Sequence, residues 1–217
     1  MIKSNKITGG VYLVVNPAIE KPILLTKIKS ALDGGVQVLQ IWNNWPGNFD
    51  KEKKAGLIRE IILISSGYGV PILINQEWEW LKETALSGVH FDQIPHNYKA
   101  IKSSIKRDFM AGISCGNDLR LVDWAEQNHL DYISFCAMFP SSSVDSCEII
   151  RPETIQNARL ITSMPIFLSG GLTTENIPKL KGLDFSGVAV ISGILNASNP
   201  KLSTLAYTQA LKQKNHD

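Results

Sequence analysis

The sequence predicts an α/β protein folded as a single (β/α)8 TIM barrel, and three observations lead to this prediction. Short runs of β-branched and aliphatic residues recur roughly every 20 to 30 residues, with amphipathic stretches of helical spacing between them. Eight such runs can be found, which favours closure into a barrel over an open doubly wound sheet. The 217 residues, 44% hydrophobic and 19% charged, suffice for one sizeable core and suit the lower end of the size range of this fold.

The strand candidates follow one another along the whole chain. A run of aliphatic residues without alternation is typical of a strand that is buried on both faces of a parallel sheet. The candidates are Val11–Val15, Val36–Trp42, Val70–Ile74, Gly88–Phe91, Phe109–Ser114, Tyr132–Phe135, Pro165–Leu168 and Gly187–Ile191. No linker or low-complexity tract interrupts them, so we predict one domain over residues 1–217, with a frayed polar tail at about residues 212–217.

Helices are predicted between these strands. The segment Lys51–Ser66 places apolar side chains on one face and Lys and Glu on the other, which is the pattern of an amphipathic helix. Asp118 is expected to cap a later helix, because its carboxylate can accept from the free N–H groups of the first turn. Thr173 or Thr174 is expected to start another helix in the same way.

Composition and charge exclude several classes of partner. The net charge is only +2 and the sequence has no run of basic residues, so we do not expect it to bind nucleic acid. The run Val11–Val15 is too short for a signal peptide, and no segment reaches the roughly 18 apolar residues of a membrane span, so we expect a cytoplasmic protein without a membrane partner. Cys115, Cys136 and Cys147 have no paired spacing, which argues against a disulfide framework and a zinc site. A small molecule is the expected partner, and the choice between monomer and homodimer stays open.

The last two loops predict a phosphate site. In this barrel, ligands bind where the strands end, because the loops converge there and helix N-termini offer free N–H groups. Two consecutive glycines follow the seventh strand and allow close approach of the backbone to an anion, and a hydroxyl and a glycine follow the eighth. The alternative is that the glycines only turn the chain and that Ser192 caps a helix. The phosphate-binding candidates are Gly170, Gly171, Ile191, Ser192 and Gly193.

A second set of residues at the strand ends is polar but uncharged. The members are Gln40, Asn75, Ser114, Ser141 and Ser143. Such groups hydrogen-bond a heteroaromatic ring or phosphate oxygens, whereas none is a good general base or metal ligand at neutral pH. We therefore interpret them as a substrate-binding set, with solvated loop ends as the alternative.

Two further candidate residues lie near the end of the fourth predicted strand, His90 within the strand and Asp92 directly after it. Asp92 lies in a loop at the mouth and is the candidate metal ligand, although carboxylates in loops are commonly just solvated. His90 could face the mouth, but a single histidine in a strand is more often a structural residue.

Taken in order, these segments resemble the thiamine phosphate synthase superfamily, which includes the thiazole tautomerases. The resemblance implies a transferase of thiamine biosynthesis, in which the nitrogen of a thiazole phosphate attacks a hydroxymethylpyrimidine diphosphate and pyrophosphate leaves with the help of Mg²⁺. The matching segments cover nearly the whole chain: Val11–Val15, Gly34–Gln40, Pro71–Asn75, Gly88–His90, Gly112–Ser114, Asp131–Ile133, Phe139–Ser143, Pro165–Leu172 and Gly187–Ser192.

The chain departs from this family pattern on the diphosphate side. Where the resemblance expects an Arg and a Lys after the glutamine of strand two, the sequence has Trp42 and Asn44. The usual magnesium-binding aspartates are replaced by Gln76 and Pro95, so a bound Mg²⁺ would need another ligand such as Asp92. By contrast, the segments on the thiazole phosphate side are kept.

Two more departures leave three functions open. The family's Thr-x-Thr-Lys segment has become residues 141–144 with loss of the lysine, and the position of the tautomerase histidine is Ala137. The chain is then a diverged synthase, a non-catalytic or tautomerase-like binder of a thiazole phosphate-type ligand, or a barrel enzyme for another phosphorylated heterocycle. The third would need Asp92 and Cys136 on either side of the ligand.

Overall fold

The computed structural model describes residues 6–140 and 148–213 and has a closed barrel of eight parallel strands. Each strand pairs with the next along the chain, and the first closes on the last through the register Tyr12 to Ala189. The predicted (β/α)8 barrel is therefore confirmed. The strands are β1 (Gly10–Val15), β2 (Val38–Ile41), β3 (Ile72–Asn75), β4 (Gly88–Phe91), β5 (Met110–Ser114), β6 (Tyr132–Cys136), β7 (Ile166–Ser169) and β8 (Gly187–Val190).

All eight predicted strands are confirmed, with small shifts at their ends. Every residue of β2, β3 and β4 is buried, as expected for parallel strands between a filled barrel and a ring of helices. β3 begins at Ile72, two residues later than the sequence suggests. Pro71 precedes it and lacks the N–H that a central strand donates to its neighbour.

The helices lie between the strands, and two of their predicted ends are confirmed. Asp50 accepts from the N–H of Lys53 at 2.8 Å where the second helix begins, and Asp118 accepts from the N–H of Arg120 at 3.0 Å as the predicted cap. No helix in the described ranges is long and apolar enough to cross a membrane. The α-helices are α1 (Lys21–Asp33), α2 (Lys51–Ser65), α3 (Tyr98–Ser104), α4 (Leu119–Gln127), α5 (Pro152–Ile161), α6 (Ser192–Leu195) and α7 (Pro200–Gln213), and Trp78–Lys82 and Ile177–Leu180 form 3-10 helices.

One prediction of local structure is wrong. No α-helix starts at Thr173 or Thr174. The Asn176 side chain instead accepts from the N–H of Thr173 at 2.8 Å, and only a 3-10 turn follows, because the next proline removes a donor that an α-helix needs. The C-terminal helix α7 runs to Gln213, and the rest of the predicted tail, residues 214–217, lies outside the described ranges, so the frayed tail stays a prediction.

Aromatic side chains fill the inside of the barrel below its mouth. The Tyr12 and Phe167 ring centroids are 5.3 Å apart and those of Tyr132 and Phe167 are 5.6 Å apart, in edge-on contacts. A Cβ atom on Gly112 would lie 2.1 Å from the Tyr132 ring, so the glycine makes room for this ring. The aromatic layer closes the barrel and forms the floor on which a ligand can rest.

Candidate functional site

A cavity of about 810 Å³ opens at the carboxyl ends of the strands, which is where binding sites of this fold occur. Every predicted site residue in the described ranges lines it, while Ser141 and Ser143 lie outside those ranges. The binding role of each remains a prediction. The predicted residues brought together are Gln40, Asn75, Asp92, Ser114, Gly170, Gly171, Ile191, Ser192 and Gly193.

Two glycines after β7 have a backbone conformation that other residues rarely adopt. Their φ angles are +81° at Gly170 and +65° at Gly171. A Cβ atom on Gly171 would lie 2.5 Å from the carbonyl oxygen of Pro140, and one on Gly170 would lie 2.5 Å from the Ala137 Cβ atom. The glycines therefore turn the chain and also allow the β6 and β7 loops to pack closely beside the cavity.

The C-terminal helix α7 holds the two predicted phosphate loops together. The Tyr207 hydroxyl donates to the carbonyl of Leu172 at 2.9 Å, and the Ser203 hydroxyl donates to the carbonyl of Gly193 at 2.6 Å. A Cβ atom on Gly193 would lie 2.1 Å from the Tyr207 hydroxyl, so this glycine leaves space for the tyrosine. The role of Tyr207 could not be predicted from the sequence, because there it is only one of the apolar positions of a helix.

A continuous chain of hydrogen bonds crosses the floor of the cavity. The Tyr12 hydroxyl donates to Gln40 Oε1 at 2.5 Å and lies 2.9 Å from the Tyr132 hydroxyl. His90 Nδ1 lies 2.7 Å from the Tyr132 hydroxyl, and His90 Nε2 lies 3.0 Å from Ser114 Oγ. The chain thus joins two predicted ligand-binding residues, Gln40 and Ser114, through three buried side chains.

Burial fixes the protonation of these side chains at neutral pH. Burial raises the pKa of Tyr12 and of Tyr132, so both keep their protons. Burial also lowers the pKa of His90 to about 4, while the nearby Asp92 acts in the opposite direction, so the imidazole is neutral. His90 is therefore one link of a polar chain, a role that its isolated position in the sequence did not reveal.

The candidate metal ligand Asp92 is exposed at the mouth and is oriented by two amides. Asn75 Nδ2 donates to one carboxylate oxygen at 2.9 Å and Gln76 Nε2 donates to the other at 3.1 Å. Asn75 Oδ1 is buried and has no hydrogen-bond partner among the described residues. Glu148 is the other carboxylate in the described lining, and residues 6–140 and 148–213 contain no cluster of three or more side chains that could hold a metal ion.

The side of the cavity at which the resemblance would place a diphosphate is lined by Trp42 and by no described basic residue. Trp42 lines the cavity, and Asn44 turns away to donate to Asn16 Oδ1 at 3.1 Å. No Lys or Arg is found in the lining formed by the described residues. A diphosphate in this cavity would therefore have to find its counter-charge in a metal ion or in side chains that move in from the rim.

Comparisons with known proteins give a consistent picture. A model of the family described as thiamine monophosphate synthase matches residues 11–194. The thiamine-phosphate synthase of Methanobrevibacter smithii is 28% identical over 211 residues, covering 97% of this chain and 99% of the relative. That of Azoarcus sp. is 28% identical over 199 residues, covering 92% and 95%. Thiamine phosphate pyrophosphorylase from Pyrococcus furiosus has the same fold, with a TM-score of 0.78 at 16% identity over 95% of this chain and 97% of that one.

Proposed function

The chain belongs to the thiamine monophosphate synthase family, and from this premise we propose that it acts in thiamine biosynthesis as a transferase. The proposed reaction joins a hydroxymethylpyrimidine diphosphate to a thiazole phosphate. The thiazole nitrogen attacks the methylene carbon of the pyrimidine, the bond from that carbon to the diphosphate oxygen breaks, and pyrophosphate leaves. The ligands are thus two small phosphorylated heterocycles.

One observation carries this proposal, namely that a single cavity has two different sides. The loops after β7 and β8 line one side and suit the phosphate of the thiazole, because glycine backbone can approach an anion closely. The hydrogen-bonded floor with Gln40 and Ser114 lines the other and suits a heteroaromatic ring. Two substrates held side by side react faster because they no longer have to meet in solution.

Magnesium would enter this site with the diphosphate. Mg²⁺ is commonly bound by one or two carboxylates together with substrate phosphates, and Asp92 supplies one such carboxylate at the mouth. The ion would neutralise charge on the departing diphosphate. Asn75 and Gln76 would keep the Asp92 carboxylate oriented toward it through their amide hydrogen bonds.

We expect the reaction to be slow. Trp42 and Asn44 occupy the positions at which the resemblance expects cations, and the described lining offers none in their place. One lost contact to the developing charge costs about 2–4 kcal/mol in the transition state, which is roughly a 30- to 1,000-fold loss in rate.

The test is a single-turnover assay with protein and both substrates at similar concentrations, with and without Mg²⁺. We expect thiamine phosphate to form only with Mg²⁺, and Asp92→Asn to lower the rate at limiting Mg²⁺ far more than at saturating Mg²⁺. Asp108→Asn, which changes an exposed carboxylate before β5, is the matched control and should behave as the wild type. No product under any of these conditions would refute the proposed reaction.

A second candidate function is binding without synthesis, as a non-catalytic or tautomerase-like binder of a thiazole phosphate-type ligand. It is favoured by one observation, that the phosphate loops line the cavity while the described lining has no basic residue. Calorimetric titration distinguishes the two candidates. Tight binding of thiazole phosphate that Mg²⁺ does not change, together with no product in the assay, favours the binder, whereas Mg²⁺-dependent binding of the pyrimidine diphosphate favours the synthase.

A further inference from the structure

Side chains from two different elements hold the backbone of the loop after β7. The Asn176 side chain spans this loop, because its Nδ2 donates to the carbonyl of Gly171 at 2.8 Å and its Oδ1 accepts from the N–H of Thr173 at 2.8 Å. The carbonyl between these two positions, that of Leu172, accepts from the Tyr207 hydroxyl at 2.9 Å. Both peptide groups between Gly171 and Thr173 are therefore held by side chains, and one of these side chains belongs to helix α7.

The same helix also holds the loop after β8. The Ser203 hydroxyl donates to the carbonyl of Gly193 at 2.6 Å. Ser203 and Tyr207 are four residues apart in α7, so they lie on one face of the helix. A Cβ atom on Gly193 would lie 2.1 Å from the Tyr207 hydroxyl, which shows how closely the tyrosine packs against this second loop. One face of α7 thus contacts both loops, and Tyr207 contacts each of them.

The Tyr207 hydroxyl has no proton to spare for a ligand. The side chain lines the cavity but is only 4% exposed, and burial raises the pKa of Tyr207, so the hydroxyl keeps its proton at neutral pH. A hydroxyl has a single proton, and the Leu172 carbonyl takes it. Phosphate oxygens are also acceptors, so Tyr207 cannot donate to a bound phosphate and keep its bond to the loop. Its effect on an anion in the cavity is therefore exerted through the backbone that it holds.

We propose that Tyr207, together with Ser203 on the same face of α7, is a positioning residue that holds the loops after β7 and β8 in one arrangement for phosphate binding. This inference rests on the proposed function in one point, namely that these loops bind the phosphate of a thiazole phosphate. A peptide group is planar, so a carbonyl that is fixed in direction also fixes the N–H of the same peptide. Donors that are already ordered bind an anion more tightly than donors that binding has to order. Removal of either hydroxyl should therefore weaken the binding of the phosphate group and not that of the ring.

The test compares thiazole phosphate with the same thiazole alcohol without its phosphate, by calorimetry on the full chain. Tyr207→Phe keeps the ring and removes the hydroxyl. We expect it to weaken the binding of thiazole phosphate by about tenfold and to leave the affinity for the thiazole alcohol unchanged. Tyr68→Phe is the matched control, because that hydroxyl is bonded to Asp33 and Tyr68 does not line the cavity, so both affinities should stay at the wild-type values.

A second variant keeps the test decisive if Tyr207→Phe does not fold. Ser203→Ala removes the bond to the loop after β8 and leaves the Tyr207 hydroxyl in place, and it should also weaken the binding of the phosphate and not that of the alcohol. An equal loss for both ligands would mean that the hydroxyls serve only the stability of the barrel, and this outcome would overturn the inference.

Unchanged affinity for thiazole phosphate in both variants would overturn the inference as well, and so would a wild-type protein that does not bind thiazole phosphate more tightly than the alcohol. The proposed reaction fails separately. If the single-turnover assay gives no product while Tyr207→Phe still reduces the preference for the phosphate, the synthase reaction is refuted and the positioning role of Tyr207 stands.

Discussion

Gly171 is a predicted phosphate-binding residue whose backbone conformation and surroundings exclude a side chain. Its φ of +65° and the oxygens of Pro140 and Phe139, 2.5 Å and 2.7 Å from a Cβ atom placed there, leave no room for a side chain. We expect Gly171→Ala to displace the β6 or β7 loop and to weaken the binding of thiazole phosphate by more than tenfold, measured by calorimetry. The left-handed conformation alone costs alanine about 1 kcal/mol of stability.

Gly182 provides the control for Gly171, because a substitution there introduces the same backbone strain at a distance from the cavity. Gly182 has a φ of +92°, but a Cβ atom there would meet no atom of the described part of the chain within 4 Å, and Gly182 does not line the cavity. Gly182→Ala should therefore destabilise the fold to a similar small extent and leave affinity unchanged. Equal losses of affinity in both variants would mean that Gly171 matters only for folding.

Among the structural elements, α2 and the 3-10 helix Trp78–Lys82 are joined by the carboxylate of Glu77. It accepts from the Trp45 and Trp80 indole N–H groups at 3.1 Å and 2.8 Å and from Lys54 Nζ at 2.6 Å. Because removal of this acceptor leaves three donors unpaired, we expect Glu77→Ala to lower the free energy of unfolding by about 2 kcal/mol or more in urea titrations.

The matched control for this element is another glutamate a short distance along the chain. Glu83 pairs with Lys51 at 2.7 Å, but the two side chains are 48% and 71% exposed, and such a pair contributes at most about 1 kcal/mol. Glu83→Ala should thus leave the unfolding midpoint nearly unchanged. If both variants were equally stable, the Glu77 contacts would be energetically unimportant.

The elements were predictable because their signals are local, whereas the floor of the site was not. Buried strands such as β3 and β4 show as aliphatic runs, and the cap at Asp118 shows as a single residue before a helix. The hydrogen bond between Tyr12 and Tyr132 joins residues 120 positions apart, and only closure of the barrel brings them together. The helix predicted to start at Thr173 or Thr174 does not form for a local reason. The Asn176 side chain accepts from the N–H of Thr173, and the proline that follows lacks a donor, so only a 3-10 turn forms.

The whole molecule is one closed barrel with a packed aromatic floor and, above it, the cavity proposed to bind the substrates. The layer of Tyr12, Tyr132 and Phe167 fills the interior, and the same two tyrosines carry hydrogen bonds toward the cavity. A change in charge on this floor must therefore affect the stability of the entire barrel and not only ligand binding. His90 is the group in this layer whose charge can change at mildly acidic pH.

The pH dependence of unfolding tests this connection. Burial lowers the pKa of His90 from 6.5 to about 4 in the folded chain, so between these values the unfolded chain binds the extra proton and stability falls as the pH falls. Protonation of the histidine should not change the free energy of unfolding above pH 6.5. By pH 4 it should have lowered this free energy by about 3 kcal/mol in total. Urea titrations from pH 7 to pH 4.5 without added metal ion should show a smaller loss in His90→Gln than in the wild type. His96→Gln, which changes an exposed imidazole, should keep the wild-type slope. Equal slopes in all three proteins would mean that folding does not lower the pKa of His90, which would contradict the effect of its burial in the floor.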